Sequence, residues 1–462
     1  MTVLDMDILD SLNSKQIIGI LIRARFPFFT PLPDFQKPSD AALIGIFPSD
    51  FKQKLFKGYE KHFDAIFWFT MDEEKENAFR ERSHLDEFEE LSEIEEIVSN
   101  IIKVLPKEKI DLIIDDEALI KIVCNIREKY DIQGPKPKDV EYLRDKALLK
   151  MTAKEKGIPT MKFTIFDPRK VESIEVEIGK IMKEIKTFPI FRKPIIASGS
   201  YGSEKISNME ELEEFVTSEV KNNNQTCYLM EECIDGKDMT EFWAYSILLP
   251  DGTCVPYSCV FTTQGLTHAE HLKKGCPILF QGLPFEECED RFPKLAEFLV
   301  DVANKLKPPA PHVFAVQGFQ LRPNTSEYLL TEVAYRIGGG RDTPATYFGT
   351  GISQETAVLS CHLNPNYQIR RDPNSPAFRR LFLWYPCVNG TLKNQKGIKK
   401  SSPITSNLEY QWYKIPGEKM EIAQSTSDYL LCLKIDNINL KEAQKDADWI
   451  AENYTPHVKH FY

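Results

Sequence analysis

FPIFRKPIIASGSYGSEKISNMEELEEF, residues 188–215, carries an apolar strand into a lysine, a loop of small residues and then a helix. A cation at a strand end, followed by Gly and Ser, suits an anion such as a phosphate. Ser198, Gly199, Ser200 and Gly202 let backbone N–H groups and hydroxyls approach it closely, and Lys193 adds a point charge on a flexible stem. The loop does not follow the Walker pattern, since no GxxxxGK[ST] occurs in the chain. Taken alone, a Gly/Ser loop between strand and helix also reads as an ordinary turn, so the surrounding sequence decides.

Two further stretches bear on it. YLMEECIDGKDMTEF (228–242) is a strand ending in Glu231 and Glu232, followed by the Cys233-Ile234 hinge and a Gly turn. An adenine needs an acceptor for its amino group, an N–H for a ring nitrogen and apolar cover; a ribose needs a carboxylate nearby. Glu231, the hinge and Asp238 supply these, although a charged strand end is the plainer reading of the stretch by itself. LLTEVAYRIGGGRDTP (329–344) sets Glu332 and Arg336 four residues apart before three consecutive glycines. Glu332 suits a divalent metal bridging phosphates, and Arg336 suits the charge on a transferring phosphoryl group. Three glycines after a strand are entropically costly, and close approach to a ligand is a reason for them.

In this order and spacing the three pieces resemble the ATP-grasp family, over roughly residues 10–460. YLRDKALLKMTAKEKGIPTMKF (142–163) is similar to the helix that introduces that fold, with Lys146 at the nucleotide-contacting position. The resemblance makes Lys193 the phosphate-binding lysine of a mobile loop, places Glu231 and Ile234 on adenine with Glu232 and Cys233 among the ATP-binding residues, and puts Asp238 where a ribose-binding Glu usually stands. Glu332 becomes a metal ligand and Arg336 the transition-state arginine. Within the family the chain is most similar to carboxylate–amine ligases of the carnosine synthase and dipeptide ligase type. What this implies is ATP with Mg²⁺ or Mn²⁺, a small-molecule carboxylate and an amine (amino acids by analogy), and an amide or peptide bond made through an acylphosphate. Acceptor contacts are implied near residues 268–274, with His271, Gly339 and Arg341 as candidates; a homodimer is an option. Two positions depart from the pattern. Gln317 stands where a first metal carboxylate is expected, and Ala334 where Glu-x-Asn would place an amide. They keep open an alternative, an ATP-binding protein without catalysis that senses or scaffolds.

The rest of the chain frames this reading. At 462 residues it is too long for one ordinary core, and its net charge of -11 argues against gripping nucleic acid or anionic membrane. The N-terminal stretch lacks the pattern of a secretory signal, and no run approaches a membrane span. The ten cysteines are scattered, mostly in apolar context, and read as buried free thiols of a cytoplasmic protein. QIIGILI (16–22), ALIGIF (42–47), AIFWFT (65–70) and IDLIID (110–115) alternate with helical stretches, predicting a parallel sheet. The expected architecture is α/β and α+β: an N-terminal α/β (pre-ATP-grasp) domain over 1–137, a two-lobed ATP-grasp domain over 138–365 with its lid lobe at about 158–235, and a small C-terminal mixed domain over 366–462. HAEHLKK (268–274) pairs two histidines without a third ligand and reads as a solvated loop. FRRLFLWYP (378–386) mixes basic and aromatic residues, but its alternation fits a strand at least as well as an RNA platform.

Overall fold

A computed structural model describes residues 6–70, 92–197, 199–234, 239–262, 266–339, 342–376, 378–399, 401–425 and 428–461. The first element is a parallel four-stranded sheet of order β3-β2-β1-β4, made by β1 (Ile17–Ile22), β2 (Ala41–Pro48), β3 (Ala65–Phe69) and β4 (Ile110–Ile114). All of β2 is buried, as expected when helices cover both faces of a parallel sheet. The Ser92–Ile101 helix buries Ile94, Ile97, Val98 and Ile101, which recur at three- and four-residue steps.

A second, antiparallel sheet of order β5-β8-β6-β7 forms a separate lobe from β5 (Phe163–Phe166), β6 (Ile190–Pro194), β7 (Glu204–Ile206) and β8 (Tyr228–Glu232). The Ile174–Ile185 and Met209–Lys221 helices cover it, capped by the Ser173 hydroxyl and the Asn208 amide oxygen. Phe166, Ile181, Ile185, Ile190, Leu212, Val216 and Met230 make a small core of their own. The lobe is tied to the main body at its entry, where Lys150 Nζ donates to Leu330 O (2.7 Å) and to Thr160 Oγ1 (2.5 Å).

The main body is an eight-stranded sheet of order β13-β12-β9-β10-β11-β14-β18-β16. Its first five strands are β9 (Thr240–Leu248), β10 (Cys254–Thr262), β11 (Ile278–Pro284), β12 (His312–Gln320) and β13 (Tyr328–Ala334). β14 (Arg379–Pro386), β16 (Asn407–Trp412) and β18 (Tyr429–Asn437) continue it. The boundary expected near residue 366 therefore falls between strands of one hydrogen-bonded sheet, joined by the β11–β14 pairing. A small sheet of β15 (Gly390–Leu392), β17 (Lys419–Met420) and β19 (Val458–His460), with the Leu440–Asn453 helix, completes the C-terminal region. FRRLFLWYP is a central strand whose last six residues are buried, the strand rather than the nucleic-acid reading. All ten cysteines are free, and most are buried. No helix among the described residues is long and apolar enough to cross a membrane.

One contact fixes how the Asp342–Thr350 helix lies on β11. A Cβ at Gly349 would stand 2.2 Å from the carbonyl oxygen of Gly282, and one at Gly282 2.3 Å from that of Ala345. Both obstacles are backbone, so no side chain can swing away. Gly349→Ala is expected to cost about 1–3 kcal/mol, the range for overpacking, read as a lower urea midpoint with an unchanged slope.

HAEHLKK is not a solvated loop. It forms the His268–Lys274 helix, with Thr267 and Glu270 making a reciprocal capping box. His271 is 1% exposed, and burial pushes its imidazole down to about 4.

Candidate functional site

A cleft of about 740 Å³ opens between the lobe, the carboxyl ends of β1 and β4, and one face of the large sheet. Alternation on β8 turns Glu231 inward, opposite Phe163 and Phe191 on the neighbouring strands. Its carboxylate lies between two ammoniums, 2.6 Å from Lys193 Nζ on β6 and 2.8 Å from Lys150 Nζ on the Lys146–Glu155 helix. Burial alone would push the carboxyl up, but the two lysines outweigh it and hold Glu231 below the usual range. The Glu231 side chain, expected to accept from adenine, thus serves as the counter-ion that sets Lys193 at the edge of the cleft. Lys146 donates to Ala197 O in the phosphate loop, and its Nζ stands 3.7 Å from Glu332 Oε1. Both expected phosphate-binding lysines are held by contacts that leave N–H donors to spare.

Glu332 on β13 lies opposite Gln317 on β12, next to a bulge between Gln317 and Gly318. Gln317 Nε2 donates at 2.8 Å to Glu241 Oε1 on β9, and the other Glu241 oxygen accepts from the His268 backbone N–H at 2.7 Å. Burial pushes Glu241 up to about 7 in spite of those two donors. Because the amide nitrogen of Gln317 is committed to Glu241, its carbonyl oxygen is the end left to face a cation. Among the described residues no three His, Cys, Asp or Glu side chains gather as a metal centre. That is compatible with Mg²⁺, which is commonly held by one or two carboxylates together with nucleotide phosphates and water. Glu332 and the Gln317 carbonyl are hard oxygen donors of the required kind, and Ala334 contributes none.

The third wall comes from the N-terminal sheet. In its order β3-β2-β1-β4, the chain runs outward in both directions from the β1/β4 pair, and such switch points open crevices at the carboxyl ends of strands. Just beyond those ends lie Arg23, Arg25, Asp115, Asp116 and Glu117. Arg336 reaches this wall: its Nε donates to Glu117 Oε2 at 2.7 Å and its Nη1 to Ile337 O at 2.8 Å. Burial works against ionisation of Glu117, but Arg336, with Arg144 and Arg25, holds it at about 2. The guanidinium is therefore fixed through two of its nitrogens to different partners, a planar arrangement an ammonium cannot copy. If Arg336 meets a transferring phosphoryl group, as the resemblance implies, Arg336→Lys should lower turnover far more than nucleotide affinity. Parallel measurements of kcat and ATP affinity decide this, and equal losses in both would make Arg336 a ground-state contact.

Of the residues singled out from sequence, Lys146, Lys193, Gly199, Ser200, Glu231, Glu232, Cys233, Ile234, Gln317, Glu332, Arg336 and Gly339 all line this one cleft. Gly202 and His271 are not on its lining; His268, one helical turn earlier, is. Ser198, Asp238 and Arg341 lie outside the described residues. The reading missed Glu117 and Glu241. The acidic run Asp115-Asp116-Glu117 directly after an apolar parallel strand was a signal for the first. For the second, alternation along TEFWAYSIL put Glu241, Trp243 and Tyr245 on one face.

The D-ala D-ala ligase C-terminus family model matches residues 152–242, which include the lobe and its hinge. Comparison with curated sequences finds no match. Among solved structures, an L-amino acid ligase from Bacillus licheniformis superposes with a TM-score of 0.61 at 14% identity, covering 97% of this chain and 100% of that one. N5-carboxyaminoimidazole ribonucleotide synthetase from Thermotoga maritima gives 0.53 at 14% identity over 95% and 98% of the two chains. Biotin carboxylase from Campylobacter jejuni gives 0.53 at 13% over 94% and 95%. At these identities the likeness is one of fold, and the fold is ATP-grasp.

Proposed function

We propose that the chain is an ATP-dependent carboxylate–amine ligase releasing ADP and phosphate. The observation that carries the reading is the convergence of Lys146, Lys193, Glu332, Arg336 and the Cys233-Ile234 hinge on one cleft, from two sheets, one helix and widely separated parts of the chain. In this reading the backbone of the hinge meets adenine, while Lys146 and Lys193 hold phosphate oxygens by charge-assisted hydrogen bonds. A Mg²⁺ or Mn²⁺ ion, when bound by Glu332 and the Gln317 carbonyl, adds positive charge against the phosphates. An oxygen of the substrate carboxylate bonds to the γ-phosphorus as the bridge to ADP breaks, and Arg336 lies against the charge of that transfer. The amine nitrogen then bonds to the acyl carbon, phosphate leaves, and the surplus amine proton is lost. The loop at Gly199–Ser200 stands over the cleft, where its closure excludes water that would hydrolyse the acylphosphate.

The test is ADP release from ATP and Mg²⁺ over a panel of acid–amine pairs, where release must require both partners. Lys193→Ala should weaken ATP binding by about 1.5–3 kcal/mol, the range for hydrogen bonds to charged groups. The fold should survive, because Glu231 keeps Lys150. Calorimetry showing wild-type affinity in this variant would remove Lys193 from the site. Gln317 and Ala334 favour one other reading, a nucleotide binder without turnover.

A further inference from the structure

The cleft extends beyond the phosphate-binding side chains. From Glu241 its floor continues across β9, β11, β14 and β18 as a wall of rings: Trp243, His268, Phe280, Trp384, Tyr413 and Tyr429. Ring centroids step 5.7 Å from Trp243 to His268, 5.4 Å to Phe280, 6.5 Å to Trp384 and 6.0 Å to Tyr413. These are contact spacings, so the wall is continuous. It draws on strands that flank the β11–β14 seam, which makes it a joint product of the central and C-terminal regions.

Phosphoryl transfer has no use for such a surface, since developing negative charge calls for cations and donors. The wall is the apolar half of a small-molecule site, with a few polar groups at one end to fix orientation. None of its rings is charged at neutral pH, because burial pushes the His268 imidazole down to about 3. The carboxylate joined to it is Glu241, which accepts from the His268 backbone and lies two residues before Trp243 on the same strand. Through Gln317 that carboxylate also adjoins Glu332, so it stands where the phosphate end of the cleft meets the ring end.

We infer that the ring wall is the subsite for the amine substrate's side chain, and that it selects an amine bearing a neutral aromatic ring, with its ammonium end toward Glu241. The inference rests on the ligase reading for which substrate lies there. A side-chain carboxylate would lose its hydration against the rings without gaining a cation. An aliphatic chain is buried but forgoes edge and face contacts. A second cationic group would have to lose its hydration against neutral rings, and Glu241, the carboxylate that adjoins them, is already engaged by the amine itself.

The probes are L-phenylalanine amide, L-leucine amide and L-lysine amide, whose blocked carboxyls let each act only as an amine. Their binding to the full chain is measured by calorimetry, and each is then supplied to the ADP-release assay. Phenylalanine amide should bind about tenfold more tightly than the other two, the size expected of a good ring contact. Trp384→Leu should erase that preference with ATP affinity unchanged. Tyr413→Ala, at a position 40% exposed, should reduce it, with a melting curve confirming that the variant is folded. Glu241→Gln should weaken all three amides alike and leave the preference in place. Equal binding of the three amides, or a preference that survives both ring variants, overturns the inference. If ADP release proceeds equally well with all three, the ligase reading stands and the ring subsite falls. If the preference is seen in binding but no acid elicits ADP release, the subsite stands and the ligase reading falls.

Discussion

Glu332→Gln is expected to lower amine-dependent ADP release by at least about 10²–10³-fold, the effect of removing one principal electrostatic group from a transfer site, while leaving the fold intact. Glu332 is the partly exposed carboxylate at the phosphate end of the cleft, beside Lys146 Nζ at 3.7 Å and opposite Gln317 in the β12–β13 register. Neither Gln317 nor Ala334 can replace its charge. Restoring a carboxylate next to it sharpens the test. In Gln317→Glu the new side chain would face Glu241, because the present amide donates to Glu241 at 2.8 Å. Two carboxylates there repel one another unless a cation lies between them. The variant should therefore be less stable than wild type in chelator, gain more melting temperature on adding Mg²⁺, and need less Mg²⁺ for half-maximal rate. A chain without catalysis would behave otherwise: ATP would bind almost equally well with chelator present, and no acid–amine pair would elicit ADP release. Those two results together would end the ligase reading.

Most of the scaffold was legible because its elements are locally consistent. The four runs read as parallel strands form one sheet. That the stretches read as phosphate loop, hinge and metal strand would meet in one cleft was legible for a different reason: each combines residue types that a plain turn or strand end does not require. What escaped was produced by tertiary packing. Nothing within HAEHLKK says that its second histidine will be buried and its first will face the cleft, since that follows from how its helix docks. The boundary expected near residue 366 falls between β13 and β14 in the chain, and backbone pairing between β11 and β14 carries the sheet across it.

The role of Glu231 shows the same limit at one side chain. Two adjacent acids at a strand end look alike in sequence, but the period of two sends one inward and the next outward. Glu231 is 1% exposed, and its neighbour Glu232 is half-buried beside Lys162 at 3.5 Å. The inward member acquired a structural task because its carboxylate meets two lysines at once, Lys150 on a helix and Lys193 on β6. A reader of the sequence sees Lys150, Lys193 and Glu231 spread over about eighty residues and has no means of joining them.

Glu231→Ala should accordingly be the most destabilising single change at the site, by about 3–5 kcal/mol, the cost of breaking a buried pair by removing one partner. Lys150 is 0% exposed and Lys193 8%, so the change leaves two ammoniums facing each other with little water. The pH dependence gives the prediction a direction. In the wild type, burial already pushes Lys150 down to about 8 against the pull of Glu231. Without that carboxylate Lys150 must fall further below its unfolded value of about 10.5, and Lys193, which Glu231 helps to hold above that value against its burial, must fall as well. The unfolded chain then binds more protons than the folded one through the neutral and mildly alkaline range, so stability rises with pH. The variant should lose most stability near about pH 6.5 and recover part of it near about pH 9.5 as Lys150 sheds its proton. Lys150→Met added to Glu231→Ala should recover much of the loss at neutral pH, since it removes the more deeply buried charge. Urea unfolding of the wild type, the single and the double variant at the two pH values supplies the measurement. A loss below about 1 kcal/mol, or one that does not change with pH, would mean that water reaches the triad and that Glu231 does not set the lysine at the mouth of the phosphate loop.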